Sequence, residues 1–144
     1  MKLLSANFTS GAINAGLLVL RVGMGVLCIP HGLHKITEFD TYKSQFINFL
    51  GIGQAASVGL SAFAEFFCAI LVVFGLFTRF ACIPLIINFF VAVFIGHAGD
   101  IIFWMSEGKV TGSAEHPMMY GIAFLALLIM GPGRYSADAL FKRR

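Results

Sequence analysis

Charged residues are scarce in this chain. Only 12% of its 144 residues are Asp, Glu, Lys or Arg, whereas a typical soluble domain carries about 25%. The mean hydropathy is correspondingly high, at +0.88. So few charged side chains cannot cover a soluble core, and the composition therefore excludes a soluble globular domain. It indicates a single domain, covering residues 1–144, that lies within a membrane.

Alternating apolar and polar strands are also missing. The apolar runs are long and continuous, whereas the strands of a transmembrane barrel alternate. Helices are the only other structure that satisfies every backbone polar group within lipid. We therefore predict an all-α fold, a bundle of four transmembrane helices with a short interfacial helix between spans one and two. The predicted spans cover residues 14–33, 55–77, 80–98 and 117–130.

Cysteine pairs and nucleic-acid-binding patterns are absent as well. Cys28, Cys68 and Cys82 lie in separate apolar segments and form no C-x-x-C motif, so we expect neither a thiol redox site nor a structural disulfide. The net charge of +3 comes with no interleaving of aromatic and basic residues, which excludes a nucleic-acid partner. Membrane lipid is the predicted surrounding of the chain.

Against this apolar background, two charged residues lie within the predicted spans. Arg21 is in span one and Glu65 is in span two. An ionised side chain at mid-bilayer costs roughly 2.5–3.5 kcal/mol on insertion scales. Such a residue persists where it is paired, where it faces the interior of a bundle, or where it serves a pathway. Arg21 and Glu65 are therefore the first candidates for a functional site.

The residues that share a helix face with these charges are small or polar. At about 100° per residue, the span-one stripe contains Arg21, Gly25, Cys28, Gly32 and Lys35, and the span-two stripe contains Ser61, Glu65, Cys68, Ala69 and Val72. Small residues let helices approach closely in lipid, so both stripes are expected to face each other. We predict a direct or water-bridged pair between Arg21 and Glu65. It is either a structural ion pair that fixes helix register or a pair that handles a proton or a ligand.

A second group of polar residues lies where the spans are predicted to end. His31 and Lys35 close span one, His97 and Asp100 close span three, and Glu115 opens span four. Antiparallel spans place these ends on one side of the bundle, so the side chains are expected to converge. A transition-metal site, a pocket for quinone or another small ligand, and simple interfacial solvation are all compatible with this pattern. We predict that the ligand pocket is lined by His31, Lys35, His97 and Glu115. We assign no metal ligand.

Basic residues are distributed unevenly between the two ends of the predicted bundle. The end that carries both termini holds Lys2, Arg79, Arg134, Lys142, Arg143 and Arg144, and the opposite end holds Lys35, Lys43 and Lys109. The positive-inside rule therefore predicts that both termini are cytoplasmic. The two longer connections then face outward.

Four short sequence motifs follow one another in a defined order along the chain. They are Leu20-Arg21 with Pro30-His31-Gly32-Leu33-His34-Lys35, then Ala64-Glu65 with Gly75-Leu76-Phe77-Thr78-Arg79, then His97-Ala98-Gly99, and finally Gly131-Pro132-Gly133-Arg134-Tyr135-Ser136-Ala137-Asp138. Over nearly the whole chain this set resembles the DoxX family of small membrane proteins with four helices. The H-G-x-x-K and G-P-G-R-x-S-x-D pieces are the most specific. The family usually has an aliphatic residue or alanine in place of Pro30, and a glycine pair in place of Cys68-Ala69.

The resemblance implies a four-helix bundle in the cytoplasmic (inner) membrane and a redox context. Some relatives are subunits of a thiosulfate:quinone oxidoreductase, and others associate with sulfur-transfer and superoxide-detoxifying partners. The chain is thus predicted to be a membrane subunit of a redox complex that passes electrons from a sulfur compound to quinone, with quinone as the implied cofactor and a protein partner in the complex. Two alternatives stay open, a non-catalytic membrane anchor or assembly subunit for a soluble partner, and a small transporter. The residues leave open whether the chain is an enzyme.

Overall fold

The fold is a bundle of apolar helices. The computed structural model describes residues 9–98 and 114–142, and these residues contain helices and no strand. Three helices are long and apolar enough to cross a membrane and a fourth is shorter, in the order α1 (Ser10–Thr37), α3 (Gln54–Phe74), α4 (Thr78–Gly96) and α5 (Glu115–Met130). Two short helices are α2 (Phe39–Gln45) and α6 (Ala137–Phe141). The predicted fold class is confirmed.

The first helix is longer at both ends than the predicted span. Its N-terminus is capped by Thr9, whose hydroxyl accepts a hydrogen bond from the backbone N–H of Ala12 at 3.2 Å. At the other end, α1 continues to Thr37 rather than ending at Leu33. The added turn contains Lys35, whose side chain contacts Glu65 of α3.

A short helix does lie between the first two long helices, as predicted, but it ends at Gln45 and is followed by a 3₁₀ turn, Phe49–Gly51. Leu50 has φ 50° and the two nearby glycines have φ 76° and 95°, so this backbone cannot continue a right-handed helix. On α2, Lys43 donates a hydrogen bond to Asp40, which lowers the pKa of that carboxyl.

The contact between α1 and α3 is close because glycine lies at the crossing. A Cβ atom on Gly32 would lie 2.6 Å from the carbonyl carbon of Glu65, and one on Gly25 would lie 2.5 Å from Cγ2 of Val73. Both distances are far below van der Waals contact. The predicted stripes are the buried faces of these helices: Arg21, Gly25, Cys28 and Gly32 of α1 are buried, as are Ser61, Glu65, Cys68, Ala69 and Val72 of α3.

Two π-helical turns interrupt the long helices. One covers Phe63–Cys68 within α3, and the other covers Ala92–Gly96 at the end of α4. Such turns insert one extra residue into a helix and occur frequently at functional sites. Here the first contains Glu65 and the second ends just before His97.

Candidate functional site

The two charged residues within the spans are buried but do not contact each other, so the predicted Arg21–Glu65 pair is wrong. Arg21, which is 2% exposed, donates from Nη1 to the carbonyl oxygen of Pro132 at 3.0 Å and from Nη2 to that of Tyr135 at 2.6 Å. Glu65 instead accepts from Lys35. The reason is axial offset: Glu65 packs level with Gly32, which lies about 16 Å along α1 from Arg21 at 1.5 Å per residue.

Arg21 therefore belongs to a cluster at the end of the bundle that carries the C-terminal segment. In this cluster, the Asp138 carboxylate accepts hydrogen bonds from the backbone N–H groups of Phe77 and Thr78, at 2.7 and 2.9 Å, and from the Thr78 hydroxyl at 3.0 Å. These bonds satisfy donors at the start of α4 that have no partner within the helix. The G-P-G-R-x-S-x-D piece thus binds the tail to the bundle and has a structural role.

Glu65 is the centre of a second cluster, which joins three helices. The Lys35 ammonium of α1 contacts its Oε2, while the Asn88 amide of α4 donates to its Oε1 at 2.7 Å. Ser61, one turn earlier on α3, also donates to Oε1, at 3.4 Å. The side chains of Lys35 and Glu65 are only 14% and 6% exposed. Asn88 thus makes a hydrogen bond between helices α4 and α3, with Glu65 as the acceptor.

A cavity of about 450 Å³ lies beside this cluster. Its walls come from α3, α4 and the connection between α2 and α3, and Lys35 enters from α1. The polar lining residues are Lys35, Ser57, Ser61, Glu65, Asn88 and His97, and the others are apolar or aromatic apart from Gly96. Phe46, Ile47 and Phe49 of the connection line it as well, and a Cβ on Gly96 would lie 3.1 Å from Ile47 Cδ1.

The cavity opens sideways between two long helices. Leu60 and Phe63 of α3 and Ile87 of α4 line it, yet their exposed fractions are 55%, 50% and 51%. Half-exposed apolar side chains on the outer faces of membrane helices face lipid. Side chains on the outer faces of α3 and α4 therefore line part of the cavity.

The four residues of the predicted ligand pocket separate into two pairs. Lys35 and His97 line the cavity. His31 packs edge-on against the Tyr120 ring of α5, at 5.9 Å between ring centroids, because this shorter side chain stays on the α5 side of α1. Glu115 is exposed at the start of α5, and neither it nor His31 is among the described lining residues. Asp100 lies outside the described residues.

Sequence reasoning missed the role of Glu65, Ser61 and Asn88 as one polar cluster at a cavity. The signal was partial: Ser61 and Glu65 are four residues apart on one helical face, and Asn88 is a polar residue within an apolar span. The π-helical turn that aims the carboxylate has no signature of its own in this sequence. Among the described residues, no three His, Cys, Asp or Glu side chains form a group that could hold a metal ion.

Comparison with known proteins shows to which family the chain belongs. The sequence profile of the DoxX family matches residues 16–98, which is more than half of the chain. The chain belongs to the DoxX family. The match contains Lys35, Glu65, Asn88 and His97, so the cavity of this DoxX protein lies entirely within the family region.

A curated relative of this DoxX protein is also a membrane protein. An uncharacterized membrane protein of Mycobacterium tuberculosis is 29% identical over 138 residues, which cover 88% of this chain and 82% of that protein. No solved structure matches the chain. The resemblance recognised from the ordered motifs is thereby confirmed, and this DoxX protein is a membrane protein.

Proposed function

We propose that this protein binds a lipid-soluble, quinone-class molecule in the cavity beside Glu65 and acts as the membrane subunit of a redox complex. The observation that carries the proposal is the sideways opening of an apolar cavity onto a buried polar cluster. Ligand pockets in proteins are mostly apolar, with a few placed polar groups, and have volumes of about 300–1,000 Å³. The cavity volume of about 450 Å³ is within this range.

The polar groups suit the ring of a quinone. A quinone carbonyl needs a hydrogen-bond donor, and an ammonium group carries three donors. Lys35 makes one described hydrogen bond, to Glu65, so N–H donors remain for a ligand. His97 lines the same cavity and brings an imidazole ring to it. An apolar tail then extends into lipid past Leu60, Phe63 and Ile87.

Within the redox complex, quinone supplies the electron-accepting chemistry, and this chain's own residues bind and orient it. Glu65, which accepts hydrogen bonds from Lys35 and Asn88, would hold the Lys35 ammonium in place, and that ammonium would donate a hydrogen bond to a carbonyl oxygen of the ligand. The electron donor and the soluble partner belong to the rest of the complex. The cytoplasmic membrane is the proposed location.

The test is retention of quinone by the purified protein in native lipid discs. Ile87→Trp would fill the opening of the cavity, whereas Ile83→Trp, one turn away on α4, changes a 45% exposed residue that does not line it. We expect extracted quinone per protein to fall about tenfold, equivalent to about 1.4 kcal/mol, in Ile87→Trp and to stay unchanged in Ile83→Trp. Quinone would be quantified by mass spectrometry.

Two results would contradict the proposal. One is the absence of quinone above the level of the surrounding lipid in the wild-type protein. The other is equal retention by the two tryptophan variants. If a soluble protein co-purifies in mild detergent while quinone is absent, the anchor alternative replaces the redox proposal.

A further inference from the structure

We infer that this cavity selects electrically neutral ligands that carry a hydrogen-bond acceptor, and that it excludes anions. The inference deepens the proposed function because it concerns the same cavity. It rests on the ion pair between Lys35 and Glu65 and on the way in which each atom of the Glu65 carboxylate is occupied. If the cavity excludes anions, only a neutral reactant of the redox complex can enter it.

The charges that face the cavity cancel. Among the described lining residues, Lys35 and Glu65 are the only Lys, Arg, Asp or Glu side chains. Lys35 and Glu65 are in direct contact. This pair of opposite charges therefore offers no net positive charge to an incoming ligand.

The carboxylate has little capacity left to bind a ligand. Its Oε2 accepts from Lys35, and its Oε1 accepts from Asn88 at 2.7 Å and from Ser61 at 3.4 Å. The Lys35 ammonium, in contrast, uses one of its three donors in these bonds. The Lys35 ammonium can therefore donate an N–H to a ligand, and the ligand must carry a carbonyl or a similar acceptor.

An anion would lose more than it gains on entering this site. Moving a charge out of water into an apolar cavity is costly unless an opposite charge compensates it. Among the described lining residues the one ammonium, that of Lys35, is already paired. Drawing Lys35 away would leave Glu65 as a buried, uncompensated charge. A neutral carbonyl avoids both costs because it accepts a spare N–H without separating the pair.

The consequence is a division of roles between reactants. An ionic donor, such as the oxyanion of a sulfur compound, must react outside this cavity. Only a neutral, lipid-soluble acceptor enters between α3 and α4. The site for an ionic substrate then belongs to another surface or to a soluble partner.

The experiment compares matched ligands with the full chain in lipid discs. One pair is 2-methyl-1,4-naphthoquinone, which is neutral, and 2-hydroxy-1,4-naphthoquinone, which is an anion at neutral pH. The second pair is methyl palmitate and palmitate, which differ in charge but contain no quinone. We expect the wild-type protein to bind the neutral member of each pair at least about tenfold more tightly, as measured by equilibrium dialysis.

A charge variant tests the physical cause. Glu65→Gln leaves Lys35 uncompensated, and the preference for the neutral naphthoquinone should fall by about tenfold or reverse. Glu38→Gln makes the same chemical change at an exposed position, directly after the end of α1, that does not line the cavity, and it should leave the preference unchanged. The wild-type comparison needs no variant, so it remains decisive if Glu65→Gln fails to fold.

The outcomes separate this inference from the proposed function. Equal or tighter binding of the anions by the wild-type protein overturns the selection of neutral ligands while leaving quinone binding intact. Binding of methyl palmitate over palmitate, with neither naphthoquinone bound, supports the selection and overturns the quinone proposal. If none of the four ligands binds, both are overturned. An unchanged preference in a folded Glu65→Gln protein overturns the assigned cause.

Discussion

Arg21 donates a hydrogen bond of 2.6 Å to the carbonyl oxygen of Tyr135, which joins the first long helix to a segment 114 positions later in the chain. A second bond, to the carbonyl oxygen of Pro132 at 3.0 Å, strengthens this connection. Gly75 makes room for it, since a Cβ there, at φ 70°, would lie 2.6 Å from Cβ of Ser136 and would collide with the Arg21 guanidinium. The buried Arg21 side chain thus joins α1 to the C-terminal segment.

Arg21→Met should destabilise the bundle by about 2–4 kcal/mol, because it removes charge-assisted hydrogen bonds from two carbonyl groups. Arg79→Met is the control, since Arg79 is exposed and makes one longer bond, of 3.3 Å, to the carbonyl oxygen of Ile129. The loss there should stay below about 1 kcal/mol. Thermal unfolding in detergent measures both. Equal losses would mean that the C-terminal segment is not held by Arg21.

Arg21 and Glu65 should act independently in a double-mutant cycle. The two side chains belong to separate hydrogen-bond clusters and share no described partner. For Arg21→Met and Glu65→Gln, the losses of stability should therefore add to within about 0.5 kcal/mol. Lys35→Met and Glu65→Gln, in contrast, should show a coupling of about 0.5–3 kcal/mol, because those two residues are in contact. A coupling between Arg21 and Glu65 larger than that between Lys35 and Glu65 would contradict the structure.

Asp138→Ala should loosen the hairpin between α3 and α4. The carboxylate accepts three hydrogen bonds from the start of α4, and losing such an N-terminal cap costs about 0.5–2 kcal/mol. Asp138→Asn keeps an acceptor oxygen and should lose less. Hydrogen exchange at Phe77 and Thr78 reports the effect locally. If exchange there matches the wild type in Asp138→Ala, the cap contributes nothing to the hairpin.

Gly32→Ala should separate α1 from α3 and enlarge the distance between Lys35 and Glu65. The added methyl group would meet the backbone of α3, and overpacking of this kind costs typically about 1–3 kcal/mol. Gly23→Ala, on the same helix with nothing within 4 Å of the added Cβ, should be neutral or stabilising by up to about 1 kcal/mol. Thermal stability and quinone retention would be measured together, and identical behaviour of the two variants would be inconsistent with the close crossing.

Both termini should lie on the cytoplasmic side of the membrane. The start of α1 and the C-terminal segment meet at one end of the bundle, where Arg134 N–H donates to Asn14 Oδ1 at 2.6 Å. The basic residues concentrated at this end indicate its orientation. A reporter fused after Arg144 should be active if it functions in the cytoplasm and inactive if it requires export. Activity of the exported reporter would invert the topology.

The sequence by itself determined the class of the fold and the buried faces of the first two spans. Continuous apolar runs must become helices in lipid, because only a helix satisfies the backbone of one segment by itself. The helical repeat then places Arg21 with Gly25 and Gly32 on one face, and Ser61 with Glu65 on another. These properties depend on spacing along one segment, which a sequence displays directly. The ordered motifs likewise identified the DoxX family from the sequence alone.

Only the tertiary structure decided which partner each charge meets. The pairing depends on how far the helices are displaced along their axes, and that displacement depends on features with no local signature. The extension of α1 to Thr37 brings Lys35 to Glu65, the π-helical turn of α3 aims the carboxylate, and the close crossing at Gly32 sets the level of contact. A shift of one helical turn moves a side chain by about 5.4 Å, which exceeds the reach of a hydrogen bond. The sequence therefore predicted which side chains face inward, and the packing of the bundle decided that Arg21 holds the tail while Lys35 and Glu65 form the cavity site.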